Sequence, residues 1–367
     1  MRRVVVAACC GLLAGWGSTA SGQDSQFGIR GLGTPGNFSS VRAWTTGGAL
    51  APFDGNSPLT DAALGDITRL TAAATEFASY RSVDDGTSAS TLRSARFPML
   101  TVAGPVFGGL VIGGGFATYL FRSYDVEVPG TVVIRGDSQA IVDHIASNGA
   151  VTDLRLAAAW RFSSRLTVGA GFHVLTGSST LNAIRLFSDS AEYHNATQTD
   201  QESYDGIGMS LSVLATPVPS LRISGFLRSD TRLRAEIAGF QNAQNDLPTT
   251  VGGGVMWSVT PEVKLAGTLS HADWAVAGGG AYNTTDWALG GEFGRAGLPF
   301  RLGVRGGQLP FGPGPTAPTE FGVSAGTGFI FSQGRGIVDL GIERLRRSGG
   351  GLNETDWTFL VGISVRP

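Results

Sequence analysis

The chain carries few side chains whose type and spacing could do chemistry. Its four histidines are His144, His173, His194 and His271, and none stands in a His-x-Glu-x-x-His or similar metal-ligand spacing. His271 with Asp273 could be half of a hydrolase site, but beside Trp274 such a pair is also typical of a membrane rim. The sequence has no Gly-x-Ser-x-Gly nucleophile motif and no phosphate-binding glycine loop. We therefore predict no catalytic residue, no metal site and no cofactor, and we expect that the protein is not an enzyme.

The two cysteines, Cys9 and Cys10, lie in a segment that is typical of an export signal. Arg2 and Arg3 supply positive charge, residues 4–16 are apolar, and small residues follow. The apolar stretch is shorter than the about 20 residues of a membrane-spanning helix. We predict a signal peptide over residues 1–22. The mature chain would then have no cysteine, which excludes disulfide scaffolds, cysteine-ligated zinc, iron–sulfur clusters and thiol catalysis.

The composition describes a weakly charged, glycine-rich chain. Of its 367 residues, 55 are glycine and 15% are charged, against roughly 25% charged in soluble domains. The apolar share of 42% is enough to bury or coat a large surface, so the chain is not a disordered polar segment. The formal net charge of −2 argues against nucleic acid as a partner, because nucleic-acid binding needs a basic face.

Large apolar side chains recur at every second position, which is the period of a β-strand with two unlike faces. Residues 166–174 and 357–365 show the alternation most clearly. Most of the predicted strands reach the about 9–11 residues that a tilted strand needs to cross a bilayer. The pattern predicts fourteen strands, at 68–82, 94–104, 108–122, 150–162, 165–176, 203–216, 219–229, 250–259, 262–272, 284–294, 299–308, 319–331, 335–346 and 355–365.

The connections between these strands alternate between short turns and long polar loops. The long loops are predicted at 83–93, 123–149, 177–202, 230–249, 273–283, 309–318 and 347–354. Short turns at one end and long loops at the other are typical of bacterial outer-membrane barrels. We predict an all-β fold, a transmembrane antiparallel β-barrel of about fourteen strands over residues 68–367, with both barrel termini in the periplasm of a Gram-negative bacterium. A secreted β-sandwich is the soluble alternative, but it would not need strands this long or so little charge.

The charged residues of the strands support this sidedness. If the strand positions that carry aliphatic side chains face lipid, the alternate positions, which carry the charged side chains, face an enclosed lumen. An arginine at the bilayer midplane would cost about 2–4 kcal/mol, so several such residues cannot all face lipid. The predicted lumen-lining residues are Arg155, Arg161, His173, Arg222, Arg228, Glu292, Arg301, Arg305, Asp339 and Glu343.

Residues 23–67, between the signal and the first strand, are interpreted as a plug. We expect a short helix from Asp61 to Thr68 with Asp61 as its N-cap. A segment of this length could fill the lumen of a fourteen-stranded barrel, which is otherwise wide enough to leak. A disordered periplasmic tail is the alternative.

Several short motifs make the mature chain resemble the outer-membrane long-chain fatty-acid transporter family, whose members also take up aromatic hydrocarbons. The matching motifs are Gly47-Gly48-Ala49, Ser57-Pro58, Ala62-Ala63-Leu64, Leu247-Pro248-Thr-Thr-Val251-Gly252, Thr260-Pro261, Ala272-Asp273-Trp274, Arg305-Gly-Gly-Gln308-Leu-Pro310-Phe311, Asp339-Leu-Gly341-Ile-Glu343 and Trp357. The resemblance implies a fourteen-stranded barrel, an N-terminal hatch inside it, capture of hydrophobic ligands from outside, and sideways release into the membrane through a kink in the third strand. The family's usual Asn-Pro-Ala is replaced here by Thr60-Asp61-Ala62 after Leu59.

Gly113, Gly114 and Gly115 fall in the predicted third strand, where three missing side chains permit a bulge or bend. We interpret them as a lateral gate for an apolar ligand; close packing against the plug is the alternative. Apolar side chains in the long loops, namely Leu181, Phe187 and Phe240, are the candidates for ligand capture.

These observations favour an outer-membrane transporter for passive uptake of hydrophobic compounds such as long-chain fatty acids. Its expected partners are outer-membrane lipid, a hydrophobic small-molecule ligand and the outer-membrane assembly machinery. Two alternatives stay open, a barrel that acts as a scaffold or shuttle in surface protein secretion and a general diffusion porin.

Overall fold

A computed structural model describes residues 25–29, 31–36, 39–84, 86, 89–188, 192–237, 242–295 and 297–366. Within them, fourteen long antiparallel strands form one sheet. The strands are β1 (Thr71–Asp84), β2 (Ala89–Phe107), β3 (Leu110–Phe121), β4 (Asp137–Ser163), β5 (Leu166–Phe187), β6 (Ala196–Val218), β7 (Leu221–Asp230), β8 (Thr249–Thr260), β9 (Val263–Ala272), β10 (Thr284–Phe293), β11 (Phe300–Gln308), β12 (Thr319–Phe331), β13 (Gly336–Gly349) and β14 (Leu352–Val365). Three strands continue in a second segment at the end of the barrel away from the tight turns. These segments are Tyr124–Ile134 for β3, Arg232–Ile237 for β7 and Ala243–Asp246 for β8.

The sheet closes into a barrel because β14 pairs with β1 along its length, from Asn353 opposite Asp84 to Val365 opposite Ala72. Each strand also pairs with its neighbours in the chain. The predicted all-β fold with fourteen antiparallel strands is therefore confirmed. We call the end with the tight turns, such as the turn between β4 and β5, the short-turn end, and the opposite end the hairpin end.

Three predicted loops are wrong, because most of 123–149, 177–202 and 230–249 is strand. These segments continue the barrel strands as long hairpins, so that β4, β5 and β6 reach 27, 22 and 23 residues. Many of their side chains are exposed on both faces of the hairpin, and the apolar alternation that reveals a strand is therefore weak. The predicted loop at 347–354 is in fact a tight turn between β13 and β14, with Gly350 and Gly351 at φ values of 58° and 85°.

The outer face of the barrel is apolar over most of a band of membrane thickness, with Glu76 of β1, opposite Val361 of β14, as an acidic residue within it. Leu156 on β4, 62% exposed, and Leu302 on β11 belong to the large apolar side chains of this face. On β12 the band runs from Phe321 to Phe331, both exposed. These ten steps of about 3.3 Å, at a strand tilt of about 40°, span roughly 25 Å, the height of the apolar band of outer-membrane barrels. The outer surface therefore suits a bilayer.

Residues 25–70, which we call the hatch segment, contact the inward faces of strands around the barrel. The segment contains helix α1 (Val41–Trp44) and three 3₁₀ turns, Gln26–Gly28, Ala51–Phe53 and Asp61–Asp66. Ser40 begins α1, its side chain accepting a hydrogen bond from the Ala43 N–H. No helix in the described part of the chain is long and apolar enough to cross a membrane.

Two details of the hatch differ from the sequence prediction. The expected helix at 61–68 is a 3₁₀ turn that ends at Asp66, and its N-cap is Thr60 rather than Asp61. The Asp61 carboxylate instead accepts hydrogen bonds from Arg155 and Ser210 of the barrel wall. Asp61 thus forms a buried ion pair with the wall and does not cap the turn. No local signal in the sequence reveals this long-range contact.

In the described residues, the pairing of the wall is interrupted between β2 and β3. These strands pair from Phe107 opposite Leu110 up to Met99 opposite Ala117. Beyond that point, in the described residues, the rest of β2 pairs only with β1. On β3, Leu120 and Phe121 instead face Pro35 and Thr34 of the hatch. We call this unpaired stretch, residues 89–98 of β2 and 118–121 of β3, the β2–β3 gap.

If the outer face meets hydrocarbon, Leu156→Arg will destabilise the barrel. We expect a loss of about 2–4 kcal/mol in the free energy of unfolding in lipid vesicles, because the guanidinium would lie near the bilayer midplane. The measurement is equilibrium denaturation followed by tryptophan fluorescence. The matched control is Leu186→Arg, which lies on the outer hairpin of β5 and should cost less than about 1 kcal/mol. Equal losses for both variants would contradict the membrane face.

Candidate functional site

The interior holds a cavity of about 320 Å³ between the hatch and the hairpin end of the barrel. Pro35 and Leu59 line it from the hatch, and Tyr119, Phe226 and Trp274 line it from the wall and loops. Polar residues of the wall also border it, among them Arg228, Arg305 and Glu320. The chamber therefore offers aromatic surface beside charged groups.

An apolar cluster covers this cavity toward the hairpin end. We call it the mouth cluster. It consists of Leu32, Tyr119, Leu120, Val151, Leu175, Tyr204, Leu233, Ala235, Leu247, Ala272, Trp274 and Phe311. The rings of Trp274 and Phe311, from two different loops, meet edge to face with centroids 5.6 Å apart. Leu32 of the hatch belongs to the same cluster, so the hatch helps to close the mouth.

A buried polar network joins the hatch to three strands. Arg155 Nε on β4 donates to Asp61 Oδ1 at 2.9 Å, and Ser210 Oγ on β6 donates to Asp61 Oδ2 at 2.7 Å. His173 Nε2 on β5 lies 2.8 Å from Ser210 Oγ, and its Nδ1 lies 2.9 Å from Asp153 Oδ2. Asp61 of the hatch is thus tied to the wall through buried groups.

The same network continues along the wall toward the gap. Arg228 Nη1 on β7 donates to Asp153 at 2.7 Å, and its Nε donates to Asp230 at 2.8 Å. Tyr119 on β3 donates its hydroxyl hydrogen to Asp230 at 2.9 Å. Since Tyr119 also belongs to the mouth cluster, the network connects the hatch, the cavity and β3.

Ser210, His173 and Asp153 have the distances of a serine-hydrolase triad. The arrangement does not provide a nucleophile, because Ser210 donates its hydroxyl hydrogen to Asp61 and not to the histidine. Ser210 also lies in β6 with paired strands on both sides, so the nearby N–H groups are used in strand pairing and do not form an oxyanion hole. The three residues link the hatch to the wall.

A second set of charges lies on the opposite wall. Arg42 of α1 donates to both oxygens of Glu292 at 2.9 and 3.0 Å. Glu292 also accepts from Arg301 and Lys264, and Arg301 reaches Asp339 at 2.6 Å. Each charge here has a partner of opposite sign, as buried charges require.

A third set lies nearer the mouth. Arg305 donates to Glu343 at 2.8 Å and also to Glu320. Arg347 donates to Glu320 at 3.1 Å and lies 3.7 Å from Glu354. The side chain of Glu354 in turn accepts from Ser25 and from the Gln26 N–H of the hatch. The hatch is thus anchored at a third point.

The structure places the ten residues predicted to line the lumen as follows. Arg155, His173, Glu292, Arg301, Asp339 and Glu343 are buried. Arg228 and Arg305 are half-buried among their carboxylate partners. Arg222 pairs with Asp66 of the hatch, and Arg161 lies at the short-turn end next to Gly65.

The residues proposed for ligand capture and gating are not brought together. Gly113–Gly115 lie in the paired part of β3, immediately below the β2–β3 gap. A side chain at Gly113 would meet Leu64 of the hatch at 3.1 Å, so this position allows close packing against the hatch. Leu181 and Phe187 lie far along the outer hairpin of β5, where Phe187 stacks on Tyr193. Phe240 and the predicted signal peptide lie outside the described residues.

Sequence reasoning missed Asp61, Asp153, Ser210, Tyr119 and Arg42. The strand alternation that selected Arg155 puts Asp153 on the same face, so this one could have been found. Asp61 and Arg42 lie in the hatch, where no periodic pattern shows which way a side chain points.

No protein-family model and no curated protein matches the chain. Solved structures do match. A FadL homologue from Pseudomonas aeruginosa has a TM-score of 0.66 at 11% identity, over 91% of this chain and 99% of that one. The toluene transporter TodX from Pseudomonas putida has a TM-score of 0.58 at 12% identity, over 92% and 99% of the two chains. The monoaromatic hydrocarbon channel CymD has a TM-score of 0.57 at 13% identity, over 92% and 98%.

These likenesses show that the chain has the fold of outer-membrane β-barrel channels, with an N-terminal segment ahead of the barrel as expected of a hatch. The resemblance found in the sequence is confirmed at the level of the fold.

Removing the Asp61 carboxylate should loosen the hatch. Asp61→Asn leaves Arg155 buried without its counter-charge, which we expect to cost about 3–5 kcal/mol. Part of that loss should appear as a larger ion conductance in planar bilayers, because the hatch then fills the lumen less tightly. Asp66→Asn is the matched control, since the Asp66–Arg222 pair is partly exposed and worth about 0–1 kcal/mol. Equal conductance in wild type and Asp61→Asn would contradict the anchoring role.

Proposed function

We propose that the protein is an outer-membrane channel for passive uptake of hydrophobic compounds. One observation carries the proposal, namely that an apolar mouth, an interior cavity and the β2–β3 gap adjoin one another. Tyr119 belongs to the mouth cluster, lines the cavity and lies on β3 at the gap, and Pro35 of the hatch pairs with β3 beside it. A ligand could therefore pass from the mouth to the side of the barrel without crossing the charged hatch anchors.

The driving force is the preference of the ligand for apolar surroundings, about 0.8 kcal/mol for each buried methylene. Aromatic rings lie beside the proposed exit at the β2–β3 gap. Arg96 of β2 lies over the Phe121 ring of β3, 4.9 Å from its centroid, and Phe121 contacts Phe77. On the outer side, Phe97 and Phe116 stand 6.0 Å apart. The glycines at 113–115 serve this exit indirectly, by letting β3 lie close to its neighbours just below the gap.

Leu181, Phe187 and Phe240 are proposed to present apolar surface to the ligand on the outer hairpins. The short-turn end, with both barrel termini, faces the periplasm in this proposal. The signal peptide directs the chain to export, and the assembly machinery inserts the barrel into the outer membrane.

The ligand class follows from the charges around the cavity. Arg228 and Arg305 each contact two carboxylates, and Arg347 is paired as well. The carboxylate of a long-chain fatty acid, the class that the resemblance implies, would have to compete with these groups. A neutral aromatic or aliphatic compound meets no such competition, so the paired charges favour neutral ligands within the broader class.

Two other functions would give different results. A general porin should show a steady ion conductance in wild type, whereas three hatch anchors oppose an open aqueous path. A scaffold or shuttle for secretion would take up no small hydrophobic compound.

Trp274→Ala should weaken ligand capture at the mouth. Loss of the indole removes about 1.4 kcal/mol or more of apolar contact, so the ligand concentration at half-maximal uptake should rise roughly tenfold. Uptake of radiolabelled toluene and of a long-chain fatty acid into cells that express the protein is the measurement. Trp257→Ala, an exposed tryptophan of the outer face, is the matched control. Uptake of neither compound above cells without the protein would overturn the proposed function.

Joining the two sides of the gap should block release. Arg96→Cys and Phe121→Cys, whose native side chains meet across the gap, can be linked by a short bis-maleimide. We expect at least tenfold slower uptake in the linked protein, because the side path is closed, and near-normal uptake in the same protein without the linker. Each single-cysteine variant treated with the reagent controls for the added bulk. Undiminished uptake in the linked protein would exclude this exit.

A further inference from the structure

The outer face carries one patch that the channel function does not use. Four outward side chains lie side by side on neighbouring strands: Arg93 of β2, Tyr80 of β1, Trp357 of β14 and Arg344 of β13. Arg93 lies 5.4 Å from the centre of the Tyr80 ring, and Arg344 lies 5.3 Å from that of Trp357. Arg346, two positions further along β13, faces outward beside Phe321. We call these six residues the arginine–aromatic patch.

The three arginines of the patch are exposed and have no carboxylate partner among the described residues. Three arginines near the hairpin end differ, since Arg185, Arg232 and Arg234 pair with Asp143, Asp246 and Asp205. The outward acidic residues nearest the patch on β1 are Asp84, four residues above Tyr80, and Glu76, four residues below it. The patch is therefore a local excess of positive charge.

The height of the patch on the barrel indicates what it faces. Arg346 is opposite Phe321, which marks the hairpin-end limit of the apolar band on β12. Below the patch, the outward positions of β14 are apolar through Phe359, Val361 and Ile363. The guanidinium groups thus lie where hydrocarbon ends and lipid headgroups begin, next to aromatic rings of the kind found at such interfaces.

We propose that the arginine–aromatic patch binds one lipid whose headgroup carries two phosphate groups. Arginine matches phosphate with two parallel hydrogen bonds, and stacking on an aromatic ring holds the guanidinium in place. The acyl chains of the lipid then lie along the apolar side chains below. Placement of this lipid in the outer leaflet rests on the proposed orientation of the barrel, whereas binding itself does not.

The spacing of the arginines calls for two phosphates. Arg344 and Arg93 are separated by β14 and β1, which is three inter-strand distances of about 4.8 Å, or roughly 14 Å. This is the distance between the backbones; each guanidinium lies over the ring of its neighbouring strand, so Arg344 with Arg346 at one end and Arg93 at the other form two separate groups of donors. A headgroup with a phosphate at each end can place one against Arg344 and Arg346 and the other against Arg93.

The test uses the full mature chain in a neutral detergent, with bis-phosphorylated, mono-phosphorylated and dephosphorylated lipid A as probes. Native mass spectrometry counts the lipids bound and gives their affinities. We expect one bis-phosphorylated lipid per chain. Arg344→Gln with Arg346→Gln should weaken its binding at least tenfold, and Arg93→Gln should abolish the preference for two phosphates over one.

Controls separate this site from general attraction and from misfolding. Arg234→Gln removes an exposed but paired arginine and should change the affinity by less than twofold. Arg344→Lys with Arg346→Lys keeps the charge and should restore part of the binding. Every variant should retain the cooperative thermal unfolding of wild type. Equal affinity in the Gln variants, equal binding of the dephosphorylated lipid, or two mono-phosphorylated lipids bound as tightly as one bis-phosphorylated lipid would each overturn the proposal.

Discussion

The structure depends on one constraint, which is that a wall one strand thick must separate hydrocarbon from a charged interior. Alternation along each strand meets it, because neighbouring residues point to opposite faces. On β11, for example, Leu302 is exposed on the outer face while Arg301 is buried inside. An enclosed interior then imposes a second condition, since charges withdrawn from water need partners. The hatch, through Arg42, Asp61 and the residues near Ser25, supplies several of these partners.

Close approach of the hatch to the wall requires small residues on the wall. A Cβ at Gly303 would lie 1.9 Å from the backbone of Thr46, and one at Gly169 would lie 2.2 Å from the Ala62 nitrogen. In a barrel with side chains at these positions, the hatch could not reach Ser212 or Ser324, which accept hydrogen bonds from its backbone N–H groups. Part of the high glycine content therefore serves contact between hatch and wall rather than strand flexibility.

The sequence was sufficient to predict the barrel but not the interior contacts. Strands such as β9, predicted at 262–272 and found at Val263–Ala272, have one lipid face and one inner face, so their period is unmistakable. Most residues of the hairpin segments are exposed or half-buried, so the sequence pattern there predicts loops rather than strands. The anchor between Asp61 and Arg155 joins residues 94 positions apart in the chain, and no local pattern encodes such a pairing. The β2–β3 gap is likewise a property of register, which depends on both strands at once.

At the β2–β3 gap, the hatch supplies backbone partners for the edge of β3. Unpaired backbone groups are costly near hydrocarbon, and a barrel normally avoids them by closing completely. Here β3 finds a substitute neighbour, because Thr34 and Pro35 pair with Phe121 and Leu120, and the Gly36 N–H donates to the Tyr119 carbonyl at 2.9 Å. The hatch is therefore part of the wall at the place where the wall is open. In the proposed function, a movement of residues 34–36 would change both the cavity and the edge of β3, and would therefore couple access to the cavity with access to the membrane.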